Sequence, residues 1–395
     1  MNSRQRVQAA ITFKEPDRIP IDNNGNVSGM HEVAYKNLLK YLGTSDEIRI
    51  YDPVQRLAEV SDEIKDKLGV DVRYVYPNAP SNYQFRENPD GTFKDEFGTI
   101  YRRVGYYADV HKAPLRDKTL EEIRSFKFPD PGDPSRFEGI RDRAIDMNKN
   151  TEYSIWAAPV NSLFYLAWCL RSLEQFMTDL NGEPKIAAYL MDSIVEWNIG
   201  FFEKFYGEIG DLIDVFWVGD DWGIQSGPLI SPEYFRKEIV PRFKKMISFI
   251  KTKTDAKCCY HSCGDTYWCM GDMIEMGVDI IHPIQANALG NDTEKLKAEF
   301  GKRIVFHGGT NNQGVFHKNI HILTIDTLKR IKDLAPGGGY IFSSGHNIQA
   351  NMAPENILRL FELGREYGKY PIDLVGIEDR IEEEKRLLKN YKKDD

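Results

Sequence analysis

Between residues 214 and 308 the chain contains Asp214-Val215-Phe216-Trp217-Val218-Gly219, Lys257-Cys258-Cys259-Tyr260-His261, Val278-Asp279-Ile280-Ile281-His282-Pro283 and Arg303-Ile304-Val305-Phe306-His307-Gly308. Each run is short, rich in β-branched and aromatic residues, and apolar without clean alternation, as strands buried on both faces are. Most are followed by a stretch patterned as a helix, which is the mark of βα units in a parallel sheet. Working outward, similar runs at 18–23, 71–76, 153–158 and 339–344 bring the number to eight, which closes a barrel. The expected fold class is α/β, a (β/α)8 TIM barrel, as one body over residues 1–377.

The intervening segments carry helix and turn signals. Ser231-Pro232-Glu233 supplies an N-cap, an N1 proline and a first-turn acid ahead of 234–251, and Pro354-Glu355 opens a helix through Tyr367. An insertion over about 78–150, between the second and third runs, reads as an antiparallel hairpin excursion, since Asp90-Gly91 and Phe97-Gly98 punctuate β-rich stretches. Pro129, Pro131 and Pro134 break the chain before the helix that returns to the barrel. The triple glycine at 337–339 reads as structural. Residues 378–395 alternate charge at helical spacing and read as a solvated, charged terminal helix or tail.

With 395 residues, 41% hydrophobic and 28% charged, the chain can bury a large core. A formal net charge of -8 without a basic tract argues against a nucleic-acid or anionic-membrane partner. No apolar run reaches membrane-spanning length, and the polar, arginine-bearing N-terminus lacks a signal-peptide core, so a cytoplasmic location is expected. Five cysteines, three of them between positions 258 and 263, fit reduced thiols.

Two constellations carry chemistry. In the first, His261-Ser262-Cys263-Gly264, alternate residues of an extended segment share a face, so Cys259, His261 and Cys263 project together. Imidazole with thiolate is a zinc-type donor pair, and a catalytic zinc keeps three protein ligands and an open position. Four of the eight histidines, His261, His282, His307 and His346, fall within or at the ends of the last four runs, where active sites of barrels sit. The expected metal ligands are His261, Cys263 and His346, with His307 competing for the third place. His282, in an apolar run, reads as a core residue, Cys258 as packing, and Cys269 as part of the next helix.

The second constellation is Gly219-Asp220-Asp221-Trp222-Gly223, where one of two adjacent acids must turn inward. Strand parity with Val218 and Phe216 favours Asp220. The candidate catalytic groups are thus Asp220, Asp221 and His307, for orienting a ligand or moving a proton. Gly308-Gly309-Thr310-Asn311-Asn312 offers Asn311 and Asn312 to a substrate, and Trp156, Trp217, Trp222, Tyr267 and Trp268 are expected as walls for a flat or apolar ligand. No Walker or dinucleotide fingerprint is present.

From Arg4 to about Tyr370 the chain resembles the uroporphyrinogen decarboxylase superfamily, through Pro16-Asp17-Arg18-Ile19-Pro20, Gly227-Pro228-Leu229-Ile230-Ser231-Pro232, His261-Ser262-Cys263-Gly264, and Gly345-His346 with Pro354-Glu355-Asn356-Ile357. Decarboxylases of that family carry arginines soon after the first strand to grip porphyrinogen carboxylates. Here the place reads Asn23-Asn24-Gly25-Asn26-Val27, which leaves Asn24 as a substrate-binding candidate. The branch it is most similar to is that of the zinc methyltransferases of corrinoid systems, whose His-x-Cys motif corresponds to His261 and Cys263. His346 stands where that branch typically has a cysteine. The resemblance implies zinc, a corrinoid carried by a partner protein, and a small methyl donor or acceptor, with O-demethylation of a methoxylated aromatic as one form. A decarboxylase of a smaller substrate, with His346 and an acid as its working groups, and a non-catalytic corrinoid- or tetrapyrrole-binding subunit are the alternatives.

Overall fold

Seven of the eight expected runs are parallel strands of one sheet, in the order Val72–Val75, Ser154–Ala157, Val215–Gly219, Lys257–His261, Ile280–His282, Val305–His307 and Tyr340–Ile341. This computed structural model describes residues 1–159 and 162–394, the side chains of 391–394 excepted. The remaining run, around Ile21, closes the ring. Asp71 N donates to Ile21 O at 2.8 Å on one side, and on the other Asp22 N donates to Phe342 O and Phe342 N to Pro20 O, both at 2.8 Å.

Alternation along the strands divides the apolar residues into two layers. Val72, Tyr74, Trp156, Val215, Trp217, Cys259, Ile280, Val305 and Ile341 fill the barrel interior. Their neighbours Phe216, Val218, Cys258, Tyr260, Ile281 and Phe306 face the helices. The first helix, Ser3–Ile11, is started by a capping box between Asn2 and Gln5 and sends Val7 and Ile11 into the interior cluster, plugging one end of the barrel. The long Pro184–Ile209 helix lays an apolar stripe on the outside. No helix among the described residues is long and apolar enough to cross a membrane.

The Pro16-to-Pro20 motif works as a latch. Asp71, fully buried, accepts from Arg6 Nη1 at 2.6 Å, Arg18 Nη1 at 2.7 Å, Ser3 Oγ at 2.7 Å and Ile21 N at 2.8 Å. Arg6 also grips Asp17 and holds its carboxyl well below the usual range. One buried carboxylate thus joins the first helix, the closing segment and the next strand.

The 78–150 insertion holds three antiparallel strands, Thr92–Lys94, Ile100–Val104 and Tyr107–Lys112, and returns through the helix Ile140–Asn150. A second small sheet, Met30–His31, Ile50–Asp52 and Leu57–Ala58, was not expected, because strands of two or three residues leave no periodic pattern. The expected helix 234–251 is split into Pro232–Tyr234, a π-helical turn over Phe235–Ile239, and Val240–Lys251, with Pro241 lacking the N–H that a continuous helix needs.

The terminal segment differs from a solvated tail. It is a helix, Leu374–Asp394, with Asp395 outside the described residues, and one face is docked on the helix Ile320–Leu334. Ile377 is fully buried there, and Glu384, also buried, is paired with His321 and Arg380. The charge alternation concealed this narrow contact stripe.

Candidate metal centre

The Lys257–His261 strand ends at the rim, and its partner strands set what stands beside it. In the parallel register His261 lies opposite Gly219 on one side and His282 on the other. Beyond His261 the chain turns through Gly264, at φ +77°, where a Cβ would meet the Gly223 backbone at 2.2 Å. Only glycine lets this loop cross the one at 220–224. Ser262 Oγ accepts from Trp222 N at 3.0 Å, and Cys263 N donates to Asp221 Oδ1 at 2.8 Å.

His346 reaches the same place from across the barrel mouth. A Cβ on Gly345 would lie 2.0 Å from Thr310 O, so glycine allows the last loop to fold down against the 308–312 loop. Asn312 Nδ2 then donates to His346 O at 2.7 Å and to Asn347 O at 3.1 Å. One donor atom each from His261, Cys263 and His346 lies within 4.8 Å of the others. Cys263 Sγ is 3.5 Å from His261 Nε2, and the His261 and His346 rings are 5.9 Å apart. Zinc with nitrogen at ~2.1 Å and sulfur at ~2.3 Å in a tetrahedron separates those donors by roughly 3.6 Å, so the spacing fits. Two imidazoles and a thiol favour zinc over magnesium or calcium.

The electrostatics suit a cation. Burial works to raise the Asp221 carboxyl, but His261, with Asp221 Oδ1 at 3.3 Å from Nε2, and the Cys263 N–H outweigh it and hold the pKa at about 2. Burial and His261 lower His346 to about 4, so its imidazole is neutral at pH 7 and free to ligate. Burial and Asp221 push the Cys263 thiol well up, a penalty that a bound cation reverses by taking the thiolate.

Other expected site residues stand elsewhere. Strand parity pointed to Asp220, yet the strand ends at Gly219 and parity ends with it. Asp220 turns outward and accepts from Leu163, Phe164 and Tyr165 N–H groups at 2.7 Å each, at the start of the helix Phe164–Arg171. Burial raises its carboxyl to about 7 against the pull of these three donors. Asp220→Ala is therefore expected to lower stability by about 2–3 kcal/mol in a denaturant melt and to leave metal content unchanged. His307 sits in the interior with Nε2 3.1 Å from Asp22 Oδ2, away from the three donors.

The expected aromatic walls are a correction. Trp222 is fully buried in the helix layer, bonded to Tyr260 OH at 2.6 Å, and Tyr267 lies on the outer surface with Glu299 and under Lys295. Asn24, at φ +86°, braces its own loop by accepting from Val60 N, and Asn311 caps the short helix Asn312–Val315. Of the substrate-binding candidates, Asn312 alone lines the cavity of about 550 Å³ that opens over Cys263 and His346. Its walls carry the carboxamides of Gln225, Gln285, Asn287, Gln313, Gln349 and Asn351 and the imidazole of His317, and among the described residues no Phe, Tyr, Trp or acidic side chain. These amides come from four separate loops, and nothing in the sequence marks them as a set.

Residues 114–367, well over half the chain, match the family described as uroporphyrinogen decarboxylase (URO-D). The chain belongs to the uroporphyrinogen decarboxylase family. Members of this superfamily include decarboxylases and methyltransferases, and the URO-D fold accounts for the barrel described above. Among solved structures, a methyltransferase from Methanosarcina mazei is similar over 93% of this chain and 99% of that one, at 15% identity and a TM-score of 0.64, which shows the shared fold. A GH113 β-1,4-mannanase is similar over 88% of this URO-D chain and 99% of its own, at 10% identity and a TM-score of 0.41, too distant to argue from. No curated protein sequence matches.

Proposed function

We propose that the protein is a zinc-dependent methyltransferase that moves a methyl group between a small donor and a corrinoid carried by a partner protein. The observation that carries this reading is the cluster of His261, Cys263 and His346 donors, two of which, Cys263 and His346, line the cavity. Three protein ligands facing an open space is the arrangement of a catalytic rather than a structural zinc. Bound there, zinc would supply Lewis acidity toward the heteroatom that carries or receives the methyl group.

The chain's own residues do the rest. Asp221 holds the Cys263 loop by accepting its N–H, and the same Oδ1 stands 3.3 Å from His261 Nε2, so a carboxylate lies beside two of the proposed ligands. Asn312 fastens the carbonyls of His346 and Asn347, and Gln285 Oε1 accepts from Gly264 N at 2.7 Å. The carboxamide walls supply neutral donors and acceptors, which supports a small polar methyl donor in preference to a methoxylated aromatic. Among the described residues they also carry no lysine or arginine to grip a polyanionic decarboxylation substrate. Mixing the purified protein with free cob(I)alamin and candidate donors tests the reading through the visible spectrum of the cobalt. Methylcobalamin should accumulate with the wild-type protein and not with Cys263→Ala. Equal rates for both would count against zinc-assisted transfer.

A further inference from the structure

His282 is a fully buried imidazole with one side-chain hydrogen-bond partner among the described residues, the candidate ligand His261, at 3.1 Å between the two Nδ1 atoms. Its Nε2 has none. An unpartnered polar group inside a barrel is destabilising, a cost that an apolar side chain of similar size would avoid. Packing alone therefore does not account for a histidine here. What imidazole adds is a hydrogen-bonding nitrogen aimed at His261, and the parallel pairing of His261 with His282 puts it there.

His261 Nε2 is the nitrogen turned toward Cys263 Sγ, at 3.5 Å, and Asp221 Oδ1, at 3.3 Å. If Nε2 ligates, Nδ1 carries the proton, and that proton needs an acceptor. The parallel register sets His282 Nδ1 3.1 Å from His261 Nδ1, where it is the side-chain acceptor within reach. The ring is itself held in place. His307 lies 4.6 Å from it and Trp217 5.0 Å, centroid to centroid. Asp22, 3.1 Å from His307 Nε2, is anchored by Ser28 Oγ at 2.7 Å and Tyr74 OH at 2.9 Å.

We propose that His282 is a positioning residue of the metal centre: it accepts the Nδ1–H of His261 and so fixes the tautomer and ring plane in which His261 presents Nε2 to the metal. The assignment rests on the zinc reading above. A neutral imidazole in this role raises the basicity of His261 less than a carboxylate would, which leaves the metal more of its Lewis acidity.

The test measures metal, not turnover. Zinc affinity is read by competition with a chromophoric chelator, and the ligand field by the visible bands of the cobalt(II)-substituted protein. His282→Leu is expected to bind zinc 10- to 100-fold more weakly and to shift the cobalt bands. His282→Asn, whose Oδ1 falls near the place of the lost Nδ1, should recover most of both. Should His282→Leu not fold, His282→Gln, with its acceptor one methylene out of place, is expected to show the same loss. Folded variants that bind zinc as tightly as wild type, with unchanged cobalt bands, would overturn the positioning role while leaving the zinc reading intact. A wild-type protein that takes up no metal would overturn both.

Discussion

Cys263→Ala is expected to lose zinc and methyl transfer together while the barrel survives. The thiol is one of three donors within 4.8 Å of each other, and no other cysteine belongs to that group among the described residues. Changing a group behind a ligand already costs 10- to 100-fold in affinity, so loss of a ligand should cost on the order of 100-fold or more. An open three-ligand site contributes less to folding than a closed structural one, and the side chain stands at the rim, so stability should move by no more than about 1 kcal/mol. Chelator competition, turnover and a thermal melt on the same preparation separate these effects. A variant that keeps stoichiometric zinc would remove Cys263 from the ligand set.

Asp71→Ala should do the reverse, damaging the fold without touching the chemistry. The substitution takes the carboxylate partner from the Arg18 guanidinium, one of two from Arg6, which keeps Asp17, and the acceptor from the Ile21 N–H, at the seam where the barrel closes. Breaking a buried ion pair by removing one partner costs about 3–5 kcal/mol, because the remaining charge is left without compensation. A thermal or denaturant melt should show a large loss, with folded material at low temperature still binding metal. A melt indistinguishable from wild type would mean that closure does not depend on this carboxylate.

The barrel was legible because strands buried on both faces leave dense apolar runs, and seven of the eight became ladder strands. His261 and Cys263 were legible for a related reason, since the strand reaches His261 and the next turn keeps the thiol on the same side. Where the strand stops, the inference stops. Beyond Gly219 the chain turns, so parity chose Asp220, which caps a helix, over Asp221, which stands beside His261. Trp222, three residues beyond the strand's end at Gly219, swings into the helix layer for the same reason. The carboxamide walls were invisible because a set of glutamines and asparagines drawn from four loops has no period or spacing. His282 looked like a core residue, and it is buried, but the partner of its one bonded nitrogen could be known only from the register.

The account turns on zinc. Purified protein should carry one zinc per chain by elemental analysis, lose methyl transfer to cob(I)alamin when the metal is stripped with a chelator, and regain it when zinc alone is restored. Protein that holds no stoichiometric zinc, cannot take it up, and still turns over its substrate would contradict the account.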